Sequence, residues 1–255
     1  MLPALQLEFQ KLRHYPTARI ILGLYAALFL FAVVTIYGTR HAGGLPPAQV
    51  YAFPTLWAKL ATTGAGCTVL LVVLFIILVT DDFQYRTLRQ QFIDGATHGQ
   101  LIGFKIAASV LLAGAGLVVL LAIGLGLGSW YAAGTWQLAP AQGAPVLLAG
   151  LQTLGFMALA GLVAIGVRKG GLSILLFVLY LFVVEPLLRS QLPAAVGHWL
   201  PCRVFLDLTP DPSHQLPASA GPGLLSHALP LVLVALLYMA ACWGLSYWLL
   251  RRRDL

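Results

Sequence analysis

Six long apolar stretches constrain the fold of this chain more than any other feature. They are the predicted spans, at residues 20–38, 60–79, 106–133, 146–167, 172–188 and 224–250. A helix needs roughly 20 apolar residues to cross a hydrocarbon core about 30 Å thick, and these lengths fit that requirement. Backbone groups in lipid must be satisfied within the segment, so helices are favoured over isolated strands. We therefore predict an all-α, polytopic membrane protein with six transmembrane helices and one integral membrane domain over residues 1–255.

The distribution of charge predicts which side of the membrane each loop occupies. Charged residues make up 9% of the chain, against about 25% in average soluble domains. Six spans put both termini on one side, which holds eleven of the 15 Lys and Arg residues, while the other side holds four. Lys and Arg accumulate in cytoplasmic loops. Both termini are therefore predicted to be cytoplasmic, and the net charge of +7 gives little reason to expect a nucleic-acid partner.

Two segments outside the spans carry apolar patterns of their own. Residues 1–16 have Leu2, Leu5, Phe9 and Leu12 at helical spacing, which predicts an amphipathic interfacial helix on the cytoplasmic surface. The outer loop at 189–223 is rich in proline, and its patches "AAVGHWL" and "VFLDL" are too short to cross a bilayer. These patches either dip into the outer interface, cap a pathway or belong to an ordered surface loop.

The cytoplasmic loop at 81–105 concentrates charge in a chain that has little of it. Its charged side chains are Asp81, Asp82, Arg86, Arg89, Asp94 and Lys105. The apolar periodicity predicts an amphipathic helix over 81–94, with two carboxylates at its start, where the helix dipole favours them. Gly95 is predicted to end this helix, and Thr97 with Gln100 to form a capping box for the third span. The loop either docks a soluble partner or is a solvated connector that only orients the spans.

This loop and its flanks resemble the ABC-2 type permease family. In that family the second span is followed by an acidic residue, a Gly-Thr or Arg-Thr pair, an Arg, a turn and a Lys. The matching positions in "TDDFQYRTLRQQFIDGATHGQLIGFK" are Asp81 or Asp82, Arg86, Thr87, Arg89, Gly95 and Lys105. "LEFQKLRHYPTARI", "YLFVVEPLLRSQLP" and "LPCRVFLDLTPDP" also resemble segments of family members. Arg86 is a departure, since many members have Gly at that position.

The resemblance implies the membrane-spanning permease subunit of a bacterial ABC exporter in the inner membrane. The loop at 81–105 would then be a coupling helix that meets a separate P-loop ATP-binding subunit, present in two copies. A second permease subunit, as a homodimer or heterodimer, and membrane lipids would be the other partners. This chain lacks the G-x-x-x-x-G-K-[ST] pattern. No cofactor and no enzyme activity are therefore expected of it, and the partner would bind ATP and Mg²⁺.

Other classes of function remain alternatives at this stage. The chain could be a membrane anchor or assembly subunit that transports nothing itself. A secondary transporter is disfavoured, because ionisable groups within the spans and inverted repeats are nearly absent. An intramembrane hydrolase is disfavoured because no G-x-S-x-G elbow occurs, and "GLGSW" has the wrong order.

Two features within the spans also lead to expectations. Glu185 is the one carboxylate inside a predicted span, and Arg189 follows it at i+4. A structural ion pair between them, beside a kink at Pro186, is favoured over a substrate or proton site in a transport pathway. Glycines recur in spans two to four, including Gly116, Gly124 and Gly155. Small residues let membrane helices approach closely, so tight packing is expected there.

Overall fold

The computed structural model describes residues 16–42, 55–85, 95, 97–131, 143–209 and 223–252 of the chain. Within these ranges the fold is all-helical and has no strand, as the sequence predicts. The helices are α1 Pro16–Ala42, α2 Thr55–Gln84, α3 His98–Tyr131, α4 Ala144–Val167, α5 Gly170–Leu179, α6 Glu185–Gln191, α7 Ala194–Gly197, α8 Pro201–Asp207 and α9 Gly223–Arg252. A π-turn at Tyr180–Val184 joins α5 to α6.

Six helical segments of the described chain are long and apolar enough to cross a membrane. They are Pro16–Thr35, Leu56–Gln84, His98–Ser129, Ala144–Val167, Gly170–Gln191 and Leu229–Arg252. We call them spans 1 to 6; span 5 consists of α5, the π-turn and α6. The predicted interfacial helix at residues 1–16 lies almost wholly outside the described residues, which begin at Pro16 as the first residue of α1.

Helix α4 is the centre of the bundle. It packs against α2, α3, α5 and α9. Two-thirds of its span (67%) is buried inside the protein, compared with 17% for spans 5 and 6. Successive spans run in opposite directions through the bundle. One end of the bundle therefore contains Pro16, Gln84, His98, Val167, Gly170 and Arg252. We call this end the termini end.

Close approach at three of the recurring glycines agrees with the predicted tight packing, whereas a Cβ atom added at Gly66, Gly114 or Gly126 would meet nothing within 4 Å. A Cβ atom added at Gly116 would lie 2.7 Å from Leu71, and one added at Gly124 would lie 2.5 Å from the ring of Trp57. A Cβ atom at Gly155, on α4, would meet the ring of Phe205. Because real side chains essentially never approach so closely, only glycine fits at these helix contacts.

The outer loop inserts part of itself into the bundle. Phe205 of α8 is fully buried. Its ring meets those of Phe156 on α4 and Tyr238 on α9 edge to face, with ring centroids 5.5 and 6.5 Å away. Leu208 and Thr209, which follow α8, are buried as well. The apolar patch "VFLDL" is therefore a packed element of the bundle and not a surface loop.

Candidate functional site at the termini end

An ion pair joins the last turn of α2 to the first turns of α3. The ammonium group of Lys105 donates to a carboxylate oxygen of Asp82. The Lys105 side chain is 7% exposed and that of Asp82 is 14% exposed. Both groups are withdrawn from water, and a charge in such a place is strongly destabilising without its partner. The pair therefore fixes the two ends of the charged loop to each other.

The position of Asp81 and Asp82 corrects one expectation from the sequence. They were expected at the start of a separate helix, but α2 continues without a break to Gln84, and the N–H of Tyr85 donates to the carbonyl of Asp81. The two carboxylates thus lie in the last turn of a helix, where the helix dipole disfavours negative charge. Lys105 compensates that cost at Asp82, because it brings a positive charge to the same place.

The connection between α4 and α5 rests on the same turn of α2. Arg168 ends α4 in the left-handed conformation, with φ 61°, and its N–H donates to the carbonyl of Ala164. Its guanidinium carbon lies 5.3 Å from the centroid of the Phe83 ring, within the range of a cation–π interaction. A Cβ atom added at Gly170 would lie 3.1 Å from the hydroxyl of Thr80. The sequence analysis missed Arg168, although the short "RKGG" between two spans was the available signal.

The re-entry of the charged loop into the bundle follows the predicted local chemistry. Gly95 has φ +90°, a conformation that residues with a Cβ atom rarely adopt. Thr97 and Gln100 form the predicted capping box. The Thr97 N–H donates to Oε1 of Gln100 at 2.9 Å, and the Gln100 N–H donates to the Thr97 hydroxyl at 3.3 Å. The predicted capping box is confirmed, since α3 begins at His98, whereas the helix that Gly95 was predicted to end lies mostly outside the described residues.

Three of the sequence-predicted coupling residues cannot be placed in this geometry. Arg86, Thr87 and Arg89 lie in 86–94, outside the described residues, as does most of the predicted helix over 81–94. The structure therefore brings together the two ends of the loop, at Asp82 and Lys105, and adds the α4–α5 connection beside them.

Glu185 lies far from this site and has a different partner from the one expected. Its two carboxylate oxygens accept hydrogen bonds from the backbone N–H groups of Cys202, at 3.0 Å, and Arg203, at 2.7 Å. Among the described residues no ion pair joins Glu185 to Arg189, whose side chain is exposed, and Arg203 pairs instead with Asp207 at 2.9 Å. The unpaired N–H groups at the start of α8 are the stronger attraction, because they lie inside the bundle, away from water.

Comparison of the sequence with models of protein families and with curated proteins returns no match. The chemistry available at the termini end must therefore be argued from its own residues. In the parts of the chain that the structure describes, no three His, Cys, Asp or Glu side chains come together in a way that would hold a metal ion. What these parts do offer is a mechanical arrangement, in which two loops are held against one helix end by charge and by an aromatic contact.

Proposed function

We propose that this chain is the permease subunit of an ABC-type exporter, which forms a substrate pathway and is powered by a separate P-loop ATP-binding subunit. The proposal combines the family resemblance of the loop at 81–105 with six helices of membrane-spanning length. In it, two permease subunits and two ATP-binding subunits assemble in the bacterial inner membrane. Both termini are on the cytoplasmic side, as the excess of Lys and Arg on that side favours.

The single observation that supports this proposal best is the ion pair between Asp82 and Lys105. A loop that transmits movement from a soluble motor must move together with the spans at its two ends. The pair joins α2 to α3 at the two ends of the loop. The cation–π contact of Arg168 with Phe83 joins the end of α4 to the same turn of α2. Force applied to the loop therefore reaches three helices at once, one of which is the centre of the bundle.

A charge-reversal experiment tests the proposal. The chain is purified from its native membrane, and the P-loop ATPase that accompanies it is quantified. Reversing Arg86 and Arg89 to Glu places two carboxylates where the partner is expected to present groups that attract cations. Like charges facing each other at an interface cost several kcal/mol, and about 1.4 kcal/mol weakens binding tenfold. Recovery of the ATPase should therefore fall at least tenfold, and ATP-dependent transport should fall with it.

The matched control is the same charge change at the same end of the bundle. Arg251 and Arg252 are exposed in the last turn of α9. Their reversal to Glu changes the net charge by the same amount as the reversal of Arg86 and Arg89. This control should retain the ATPase at the wild-type ratio. The proposal is wrong if no P-loop ATPase accompanies the wild-type chain, or if the Arg86 and Arg89 variant binds and transports as the wild type does.

A further inference from the structure

Glu185 is buried at a point of span 5 where its neighbours are exposed. It is 4% exposed, whereas Phe182 is 63% exposed and Leu187 is 61% exposed. Its carboxylate accepts from the N–H groups of Cys202 and Arg203. These N–H groups belong to the first turn of α8, where a helix offers them no internal acceptor. Hydrogen bonds to an ionised acceptor are about twice as strong as neutral ones, so Glu185 fastens α8 to span 5.

Two more side chains of the bundle hold the same segment, which we define as residues 199–209 and call the inserted segment. The hydroxyl of Tyr238, on α9, donates to the carbonyl of Trp199 at 2.6 Å. The hydroxyl of Thr209 donates to Oε1 of Gln152, on α4, at 2.5 Å. Spans 4, 5 and 6 therefore each contribute one polar side chain that hydrogen-bonds to the inserted segment.

One side chain of the inserted segment lies beside a cavity of about 260 Å³. Leu206 of α8 lines this cavity together with Thr68 on α2, Phe156 on α4, and Phe177 and Leu181 on span 5. The hydroxyl of Thr68 already donates to the carbonyl of Gly64, so the lining offers mainly apolar contacts. Phe182 and Leu206, which both line the cavity, are exposed, so the cavity is partly open with the inserted segment in place.

The π-turn at Tyr180–Val184 decides which way Glu185 faces. The N–H of Glu185 donates to the carbonyl of Tyr180, five residues back, instead of four. Ser173 and Phe177 are the buried residues of α5. In a regular helix of about 3.6 residues per turn, the position three turns after Ser173 on the same buried face would be about 184. The extra residue of the π-turn moves the inward-facing position to 185.

Pro186 explains why the extra residue lies here. A proline has no N–H to donate, and its ring clashes with the carbonyl group four residues back, which is that of Phe182. Widening the helix just before the proline relieves the clash, and the sequence-based expectation of a kink at Pro186 corresponds to this local change.

We infer that the π-turn and Glu185 form a latch that holds the inserted segment against span 5. With the π-turn formed, the carboxylate meets the N–H groups of Cys202 and Arg203. If span 5 became a regular helix, Glu185 would turn about 100° away from the face that Ser173 and Phe177 occupy, and the segment would lose its contact with span 5. The latch concerns how this chain keeps the inserted segment in the bundle, and it does not depend on the proposed transport function.

Cys202 provides a native reporter for this latch. Its side chain is 2% exposed, and burial, followed by the neighbouring carboxylate of Glu185, raises the pKa of its thiol. Both effects suppress alkylation, because the thiolate is the reactive form. In a Cys67→Ala/Cys242→Ala background Cys202 is the one remaining cysteine. Its rate of alkylation by N-ethylmaleimide in detergent then reports on release of the inserted segment. Because loss of the Glu185 carboxylate also removes one cause of the raised pKa, the measurement is repeated with a bulkier maleimide, which reacts faster only if the buried sulfur becomes accessible.

The first arm of the experiment removes the carboxylate. Glu185→Ala should raise the alkylation rate of Cys202 at least tenfold, which corresponds to about 1.4 kcal/mol. Arg189→Ala is the matched control, because it removes an exposed charge one turn away, and it should change the rate less than twofold. In a second control, Cys67 is the one remaining cysteine of the Glu185→Ala variant. Its thiol should stay protected from alkylation, which would show that the opening is confined to the inserted segment. If Glu185→Ala does not accumulate, Glu185→Gln, which keeps one acceptor oxygen, should give an intermediate rate.

The second arm tests the π-turn. Deleting Val183 together with Pro186→Ala removes both the extra residue and the proline clash, so the helix can become regular with the carboxylate back on the inward face, and Cys202 should stay protected. Exchanging the residues at 184 and 185 (Val184→Glu/Glu185→Val) keeps the composition but moves the carboxylate off that face, so Cys202 should react as in Glu185→Ala. The latch is refuted if Glu185→Ala or Glu185→Gln reacts no faster than Arg189→Ala. Its dependence on the π-turn is refuted if the deletion exposes Cys202 or the exchange protects it.

Discussion

Thr209 donates its hydroxyl hydrogen to Oε1 of Gln152, with 2.5 Å between the two oxygen atoms, and 57 positions of chain separate the two residues. Gln152 is 1% exposed. Thr209→Val should therefore lower stability by about 1–3 kcal/mol, because the buried amide oxygen of Gln152 loses its hydrogen-bond donor and water cannot replace it. Replacing both residues, Gln152→Leu with Thr209→Val, should be nearly neutral. Thermal unfolding midpoints in detergent measure both effects, and a double variant less stable than Thr209→Val would contradict this account.

Gly155→Ala should destabilise the protein by about 1–3 kcal/mol, because its methyl group would overlap the ring of Phe205. Gly166, also on α4, has open space where a Cβ atom would lie. Gly166→Ala should therefore be neutral or stabilising by about 0.5–1 kcal/mol, since alanine is the better helix former. Combining Gly155→Ala with Phe205→Leu should recover part of the loss. Equal unfolding midpoints for the two alanine variants would show that the close approach at Gly155 has no energetic weight.

Lys105→Met should lower stability by about 3 kcal/mol, because it removes a cation from the largely buried carboxylate of Asp82. Adding Asp82→Met removes that carboxylate, and the double variant should regain most of the loss. The measurement is again the unfolding midpoint of each single variant and of the double variant. Additive losses from the two substitutions would mean that the pair does not couple α2 to α3.

The proposed orientation is testable at two exposed positions, Gln84 at the termini end and Gln191 at the opposite end. In a chain without its native cysteines, Cys at Gln191 should react with a membrane-impermeant thiol reagent added to intact cells. Cys at Gln84 should react only after the cells are opened. The reverse pattern would invert the proposed topology, in which eleven Lys and Arg residues face the cytoplasm.

Local chemistry is the part of this structure that the sequence predicts well. The six apolar helices follow from the lengths of uncharged runs, and the start of α3 follows from Thr97 and Gln100, which are three residues apart. The turn at Gly95 is local in the same sense. Each of these features depends on neighbours within one or two helical turns, and periodicity and capping preferences describe such neighbours directly.

Contacts between distant parts of the chain are where prediction from the sequence fails. Arg189 is the nearest cation to Glu185 along the helix, but the carboxylate meets N–H groups 17 and 18 positions away. Spacing rules could not anticipate this, because the π-turn changes the helical register before Glu185 and α8 folds back into the bundle. Lys105 likewise pairs with Asp82, 23 positions away, only because α2 continues past the predicted end of its span.

The order of synthesis gives the contact between α4 and the inserted segment a further consequence. Gln152 leaves the ribosome 57 residues before Thr209, which at about 5–20 residues per second is roughly 3–11 s. Throughout that interval the amide of Gln152 lies in a nascent bundle without the hydroxyl that later pairs with it. A chain that terminates before Thr209 keeps this polar group uncovered in its most central helix. The contact between α4 and the inserted segment therefore forms only after spans 1 to 5 have been synthesised.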